Sequence, residues 1–177
     1  MEYYEKTISR ELKYKGLIFD VENLVVELPN GKQAYRDIVR NPGASVVVPI
    51  IGDEIILVHQ FRKPPEKVFI ELPAGKLDEG ENPEVCAARE LKEETGYHAG
   101  KLEKILELYP APAFADEVLH IYLATELTKG EATPDEDEFI SAKAYKLEEA
   151  LSMIDQGIIN DSKTVAGILF ASRYLKK

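Results

Sequence analysis

The chain predicts a mixed α+β domain carrying a β-rich N-terminal arm. Three observations point there. β-rich runs come in clusters, while helical patterns come singly. The order does not alternate strand and helix, as a parallel sheet would require. The length of 177 residues suits one compact domain with an appended arm. We expect the arm over residues 1–43 and the main domain over 44–177.

Residues 1–45 are polar and strand-like. Leu24–Leu28 and Gln33–Val39 flank Pro29-Asn30-Gly31, a hairpin turn signal. Two β-rich runs follow, Ala44–Ile51 and Glu54–Gln60, split by Gly52-Asp53. Val68–Leu72 reads as a short strand running into Pro73-Ala74-Gly75. Asn82-Pro83 marks a helix start, because Asn caps and Pro suits the first helical position. The spacing predicts helix over Glu84–Thr95, and Gly96 ends it. Lys101–Leu108 and Glu117–Thr125 read as strands around the Pro-rich loop Tyr109–Asp116. Thr128–Asp137 reads as an acidic loop and Phe139–Tyr145 as a strand. Leu147–Gln156 and Lys163–Leu175 read as helices.

Composition narrows the function. Apolar residues make up 45% of the chain, enough for a core. The formal net charge is -10, a poor fit to general nucleic-acid binding, since the phosphate backbone needs Lys and Arg. A phosphorylated small molecule still fits if bound cations reverse the local sign of charge. The single cysteine, Cys86, excludes a disulfide within the chain and suggests a reducing compartment. The first residues lack the apolar core of a signal peptide, and no apolar run is long enough to span a bilayer. We therefore expect a cytoplasmic protein with no membrane partner.

The chemistry is carried by Gly75–Tyr97, GKLDEGENPEVCAARELKEETGY. At 100° per residue, Glu90, Glu93 and Glu94 fall in an arc of about 100°, with Arg89 beside it. Ala87, Leu91 and Thr95 lie toward the other side and face the core. Three carboxylates so spaced repel one another and destabilise a bare helix. A hard divalent cation offsets that repulsion, and Mg²⁺ is commonly shared between carboxylates and substrate phosphates. A solvated acidic face is the plain alternative for ELKEE taken alone.

The whole segment resembles the Nudix box, G-x5-E-x7-R-E-U-x-E-E-x-G-U, where U is a bulky apolar residue. Gly75, Glu81, Arg89, Glu90, Glu93, Glu94 and Gly96 occupy all seven fixed positions. Leu91 fills the first U, and Tyr97 fills the last, where an aliphatic residue is commoner. The resemblance implies the Nudix fold, a mixed sheet sandwiched between helices. It also implies that Glu90, Glu93 and Glu94 hold Mg²⁺, with Mn²⁺ as a substitute. Glu81 and Arg89 would pair and fix the loop against the helix. By the same resemblance Glu93, Arg89 and Glu81 count among the catalytic residues.

Residues outside the box resemble the ADP-ribose pyrophosphatase subfamily. Pro112, in YPAPAFADE, stands sixteen residues after Gly96, as that subfamily's marker proline does. HQFRKP at 59–64, IELPAG at 70–75, ELPNG at 27–31 and the C-terminal GIINDSKTVAGILF are similar too. The resemblance makes the Ala74 carbonyl a metal ligand and sets Arg62 on the diphosphate. Glu71 and Pro112 join the substrate side. Arg36 reaches the substrate from a partner subunit, and Tyr35 stacks on adenine, although a tyrosine in a strand is more often a packing residue. In PDEDEF, Glu136 aligns with a mobile general base and Glu138 with a further metal ligand; a slip of two residues exchanges them. A loop closing on substrate suits this segment.

The resemblance thus implies Mg²⁺-dependent hydrolysis of ADP-ribose to AMP and ribose 5-phosphate by a homodimer. The alternatives are another nucleoside diphosphate derivative, such as a nucleotide sugar, NADH or a dinucleoside polyphosphate, or a non-catalytic module sensing ADP-ribose. His59, His98 and His120 are scattered and form no zinc-like pair. Cys86 lies inside the helix without an adjacent base and does not read as a nucleophile.

Overall fold

The computed structural model describes residues 3–133 and 139–175. They form two compact units, Met1–Gly43 with Tyr109–Val118, and Ala44–Leu108 with Leu119–Lys177.

The first unit is a three-stranded antiparallel sheet in the order β1 (Lys6–Lys15), β2 (Asp20–Glu27), β3 (Gln33–Arg40). The hairpin expected around Pro29-Asn30-Gly31 joins β2 to β3, with the Leu28 amide donating to Lys32 O at 2.8 Å. Alternate residues Leu24 and Val26 of β2 are buried, the period-two signature of a half-covered strand. β1 is exposed along its whole length. The Pro-rich loop belongs to this unit. The Val39 amide donates to Phe114 O at 2.7 Å, the Asp116 amide to Val39 O at 3.2 Å, and Arg40 Nη1 reaches Asp116 Oδ2 at 2.9 Å.

The second unit is a seven-stranded mixed sheet. Its main path runs β10 (Ile140–Lys146), β5 (Glu54–Arg62), β4 (Ala44–Ile51), β9 (Leu119–Lys129), β8 (Tyr97–Leu108). β6 (Lys67–Glu71) pairs with β5, and β7 (Ala74–Lys76) pairs with β4. Only β4 and β9 run parallel; the other pairs are antiparallel. The sheet is sandwiched between helices, and β4 shows why its sequence is apolar throughout. Val46, Val48 and Ile50 face a cluster with Ala150 and Met153 of α2 (Leu147–Asp155) and Ile168 and Ala171 of α3 (Ser162–Tyr174). Val47 faces Ala87 and Leu91 of α1 (Pro83–Thr95) on the opposite side. A strand covered on both faces loses polar alternation.

The structure moves several element limits. β8 starts at Tyr97 rather than Lys101, and β9 runs on to Lys129, into the stretch expected to be loop. Tyr97 pairs with Lys129 and His98 with Thr128, so strand pairing holds a stretch that carries no apolar period. β9 begins at Leu119, two residues after the expected Glu117. Beyond the strand expected at Val68–Leu72, Ala74–Lys76 forms a separate short strand, β7. No helix among the described residues is long and apolar enough to cross a membrane.

Candidate active site

Helix α1 is set in place at both ends. The Asn82 side chain caps it by accepting from the Glu84 amide at 2.8 Å, and Pro83 takes the first position. Gly96 closes it at φ 75°, with its amide bonded to Lys92 O. A Cβ on Gly96 would also fall 2.8 Å from the Ala132 amide nitrogen. Beneath the helix, Ser45 Oγ donates to Pro83 O at 2.6 Å, tying α1 to β4.

The three glutamates do not form a solvated face. Glu90 and Glu94 are buried, at 8% and 4% exposure, on the same helix as buried Ala87 and Leu91. Glu94 Oε2 accepts the Ala74 amide at 3.0 Å, which brings the helix carboxylate to the strand that offers the Ala74 carbonyl. The Glu90 carboxylate packs against Gly75 so closely that a Cβ there would lie 1.7 Å from its Oε1. The glycine that opens the box thus leaves room for the carboxylate of the helix.

Arg89 organises the acidic groups. Its Nε and Nη2 grip Glu81 at 3.1 and 3.0 Å, and its Nη1 reaches Glu90 at 2.6 Å and Glu93 at 3.1 Å. The hydrogen bonds from Arg89 hold the Glu81 carboxyl at about 2. In turn, the bond to Glu81, and then the field and bond of Glu90, pin the guanidinium in its charged form. Glu81 Oε2 also accepts the Asp78 amide, so one ion pair fastens the loop to the helix. Cys86 is buried beside it, its thiol directed at Gly75 O and Lys76 O. Burial pushes that thiol up to about 11, which suits a packing residue and not a nucleophile.

A second charged cluster lies in the same unit. Arg62 at the end of β5 donates from Nε and Nη2 to Glu71 at 2.9 and 2.8 Å. Glu71 is 2% exposed and also accepts Lys163 Nζ, which bonds Asp161 at 2.8 Å as well. Burial works to raise the Glu71 carboxyl; the hydrogen bond from Arg62 and the field of Lys163 outweigh it and leave it below the ordinary range. Arg62 is held charged by Glu71 against burial, with Glu94 of the box adding to the field. Lys163 and Asp161 were not singled out by sequence reasoning; their only signal was the resemblance of the GIINDSKTVAGILF segment.

Tyr35, Arg36 and Pro112 belong to the other unit. Tyr35 is exposed, and Arg36 makes a bidentate pair with Glu5 at 3.0 and 2.6 Å. Glu136 and Glu138 lie outside the described residues. His59 bonds Tyr145 at 2.7 Å, and His120 is partly buried.

Among the described residues, no group of three or more His, Cys, Asp or Glu side chains is gathered for a metal, and Arg89 contacts Glu90 and Glu93 instead. The donor chemistry nevertheless fits a hard divalent cation. The Glu90 and Glu94 carboxylates adjoin the Ala74–Gly75 backbone, Glu93 stands one turn on from Glu90 on the same helix, and every donor is oxygen, the set that Mg²⁺ takes.

The family model for the NUDIX domain matches residues 40–166. The chain is 47% identical over 169 residues to an ADP-ribose pyrophosphatase of Bacillus subtilis (strain 168), covering 94% of this chain and 91% of that protein. It is 45% identical over 171 residues to a methanol dehydrogenase activator of Bacillus methanolicus, covering 95% and 92%. Among solved structures, an ADP compounds hydrolase superposes with a TM-score of 0.86 at 24% identity, over 97% of this chain and 94% of that one, a likeness of fold. A box with every fixed position filled, folded as loop and helix on a mixed sheet, agrees with these matches, and the chain belongs to the Nudix family.

Proposed function

We propose that the chain hydrolyses the diphosphate bond of ADP-ribose, giving AMP and ribose 5-phosphate, with Mg²⁺ as its metal. One observation carries the reading: a chain 47% identical to an ADP-ribose pyrophosphatase over 94% of its length folds its box with Glu90 and Glu94 buried against the Ala74–Gly75 backbone.

Glu90, Glu93, Glu94, the Ala74 carbonyl and Glu138 would hold the metal. Bound there, Mg²⁺ supplies Lewis-acid neutralisation of the diphosphate charge. Arg89 and Glu81 keep the glutamate helix locked to its loop. Arg62, clamped by Glu71, turns its remaining guanidinium edge to the diphosphate. Glu136 takes the proton of the attacking water. The water oxygen bonds to one phosphorus as the bond to the bridging oxygen breaks, and no covalent enzyme intermediate forms. Tyr35 stacks on adenine, Pro112 shapes the substrate side, and Arg36 serves the site of a partner subunit in a homodimer. A single cysteine, with no partner in the chain for a disulfide, supports a cytoplasmic setting.

The test is incubation with ADP-ribose and Mg²⁺ in ¹⁸O water, with products read by mass spectrometry beside a panel of nucleotide sugars, NADH and dinucleoside polyphosphates. AMP and ribose 5-phosphate, one of them carrying the label, are expected, with turnover lost in excess chelator and restored by Mg²⁺ or Mn²⁺. Preferred cleavage of another compound overturns the substrate. Binding of ADP-ribose without turnover in Mg²⁺ overturns the enzyme reading in favour of a sensor.

A further inference from the structure

The Arg62 cluster contains one member that the reaction scheme leaves without a task. Lys163 sits on the first turn of α3, 14% exposed, between two carboxylates. Its chain separation from Glu71 is 92 residues. It is not needed to hold the helix down. Asp161 caps α3 by accepting from the Thr164 amide at 3.1 Å, and Thr164 Oγ1 donates to Asp161 at 2.6 Å. The Leu72 amide donates to Thr164 Oγ1 at 2.9 Å, which already fastens α3 to the end of β6. What Lys163 adds is a positive charge on a buried carboxylate.

That charge decides where Arg62 points. Glu71 Oε2 accepts both Arg62 and Lys163, and Oε1 accepts Arg62 alone. Two cations balance two anions, Glu71 and Asp161. Without Lys163, Glu71 is a buried carboxylate with one partner, and the group carries excess negative charge where an anionic substrate is to bind. Glu71 then loses the partner that anchors its Oε2 toward α3, so the Arg62–Glu71 pair can shift together, and the Glu94 carboxylate, whose field Arg62 already feels, draws the guanidinium away.

We propose that Lys163 is a positioning residue for substrate binding: it fixes Glu71, and through Glu71 the direction of Arg62 toward the diphosphate. This rests on the reading of Arg62 given under the proposed function. Because Arg62 holds the diphosphate before and during reaction alike, its displacement weakens KM more than kcat.

The experiment compares Lys163→Met and Lys163→Arg with wild type, and places Lys163→Met in an Arg62→Ala background. Lys163→Met should raise KM for ADP-ribose by about tenfold or more with kcat within about threefold. It should weaken the Kd of the non-hydrolysable α,β-methylene analogue of ADP-ribose by the same factor. Lys163→Arg keeps the charge and should restore most of the affinity. In the Arg62→Ala background, Lys163→Met should add less than about threefold, because its effect passes through a residue already gone. Melting curves of all variants show that loss of binding is not loss of fold. Wild-type KM and analogue affinity in Lys163→Met overturn the proposal, and so does a full effect that persists without Arg62. If the wild type leaves ADP-ribose intact, the substrate reading fails by itself. The same KM comparison is then made on the panel compound that the wild type does cleave, and it decides the role of Lys163 there.

Discussion

A methyl group at position 75 would fall 1.7 Å from Glu90 Oε1, so the glycine of β7 and this helix carboxylate share one contact. No rotation of a backbone-borne Cβ relieves it, and the carboxylate must move. Gly75→Ala should therefore lower turnover by about a hundredfold while costing about 1–3 kcal/mol of stability, the range for overpacking. Steady-state rates with a urea melt check it. Wild-type turnover in Gly75→Ala would remove Glu90 from the working site.

The Glu81–Arg89 pair links charge to pH. The folded carboxyl of Glu81 is held at about 2, below its ordinary 4.5. A depressed carboxylate contributes stability in full above its unfolded value, and loses it as pH falls through the folded one. The advantage of wild type over Glu81→Gln should be constant above about pH 5 and shrink between about 4.5 and 2. Denaturant midpoints of both proteins across that window measure it; an advantage that stays level to pH 3 contradicts the ion pair.

Cys86 should be silent. Burial raises its thiol to about 11, and the thiol is directed at the Gly75 and Lys76 carbonyls. Iodoacetamide at pH 8 should leave the folded protein unlabelled and label it once unfolded in guanidinium. Cys86→Ala should keep turnover within about threefold of wild type, because the thiolate is the reactive form of cysteine and little of it forms here. Rapid labelling of native protein with loss of activity would make Cys86 functional after all.

The proposed shared site in a homodimer predicts a complementation result. β1 exposes an unpaired edge over ten residues, with Ile8, Leu12 and Tyr14 exposed along it, and native proteins cover such edges. Mixing Arg36→Ala with Glu94→Gln subunits should recover about a quarter of wild-type activity, since random pairing makes half the dimers mixed and each mixed dimer holds one intact site. Light scattering reads the assembly. A monomer, or no recovery after proven subunit exchange, would confine each site to one chain.

The amino-acid sequence by itself determined the parts whose partners are near in the chain. The glutamate helix, its Asn82 cap and its Gly96 stop obey local rules, and all lie where spacing put them. The apolar run at 44–51 marked the central strand, because a strand covered on both faces leaves an unbroken apolar stretch. The turn at 29–31 was legible for the same local reason.

Only the tertiary structure decided what depends on distant partners. One apolar residue, Tyr97, among His98, Thr128 and Lys129 gives no alternation to announce strand; they are strand because they pair with one another. Period alone divided α1 into an acidic arc and an apolar side, yet Glu90 and Glu94 are buried with Ala87 and Leu91. The Ala74–Gly75 backbone comes up against Glu90 and Glu94 and removes them from water. Glu71 and Lys163 meet across 92 residues, and no local pattern links a glutamate ending a strand to a lysine starting a helix. Hydrogen bonds within a turn are written in neighbouring letters, whereas an ion pair between β6 and α3 exists only once the sheet has brought both to one place.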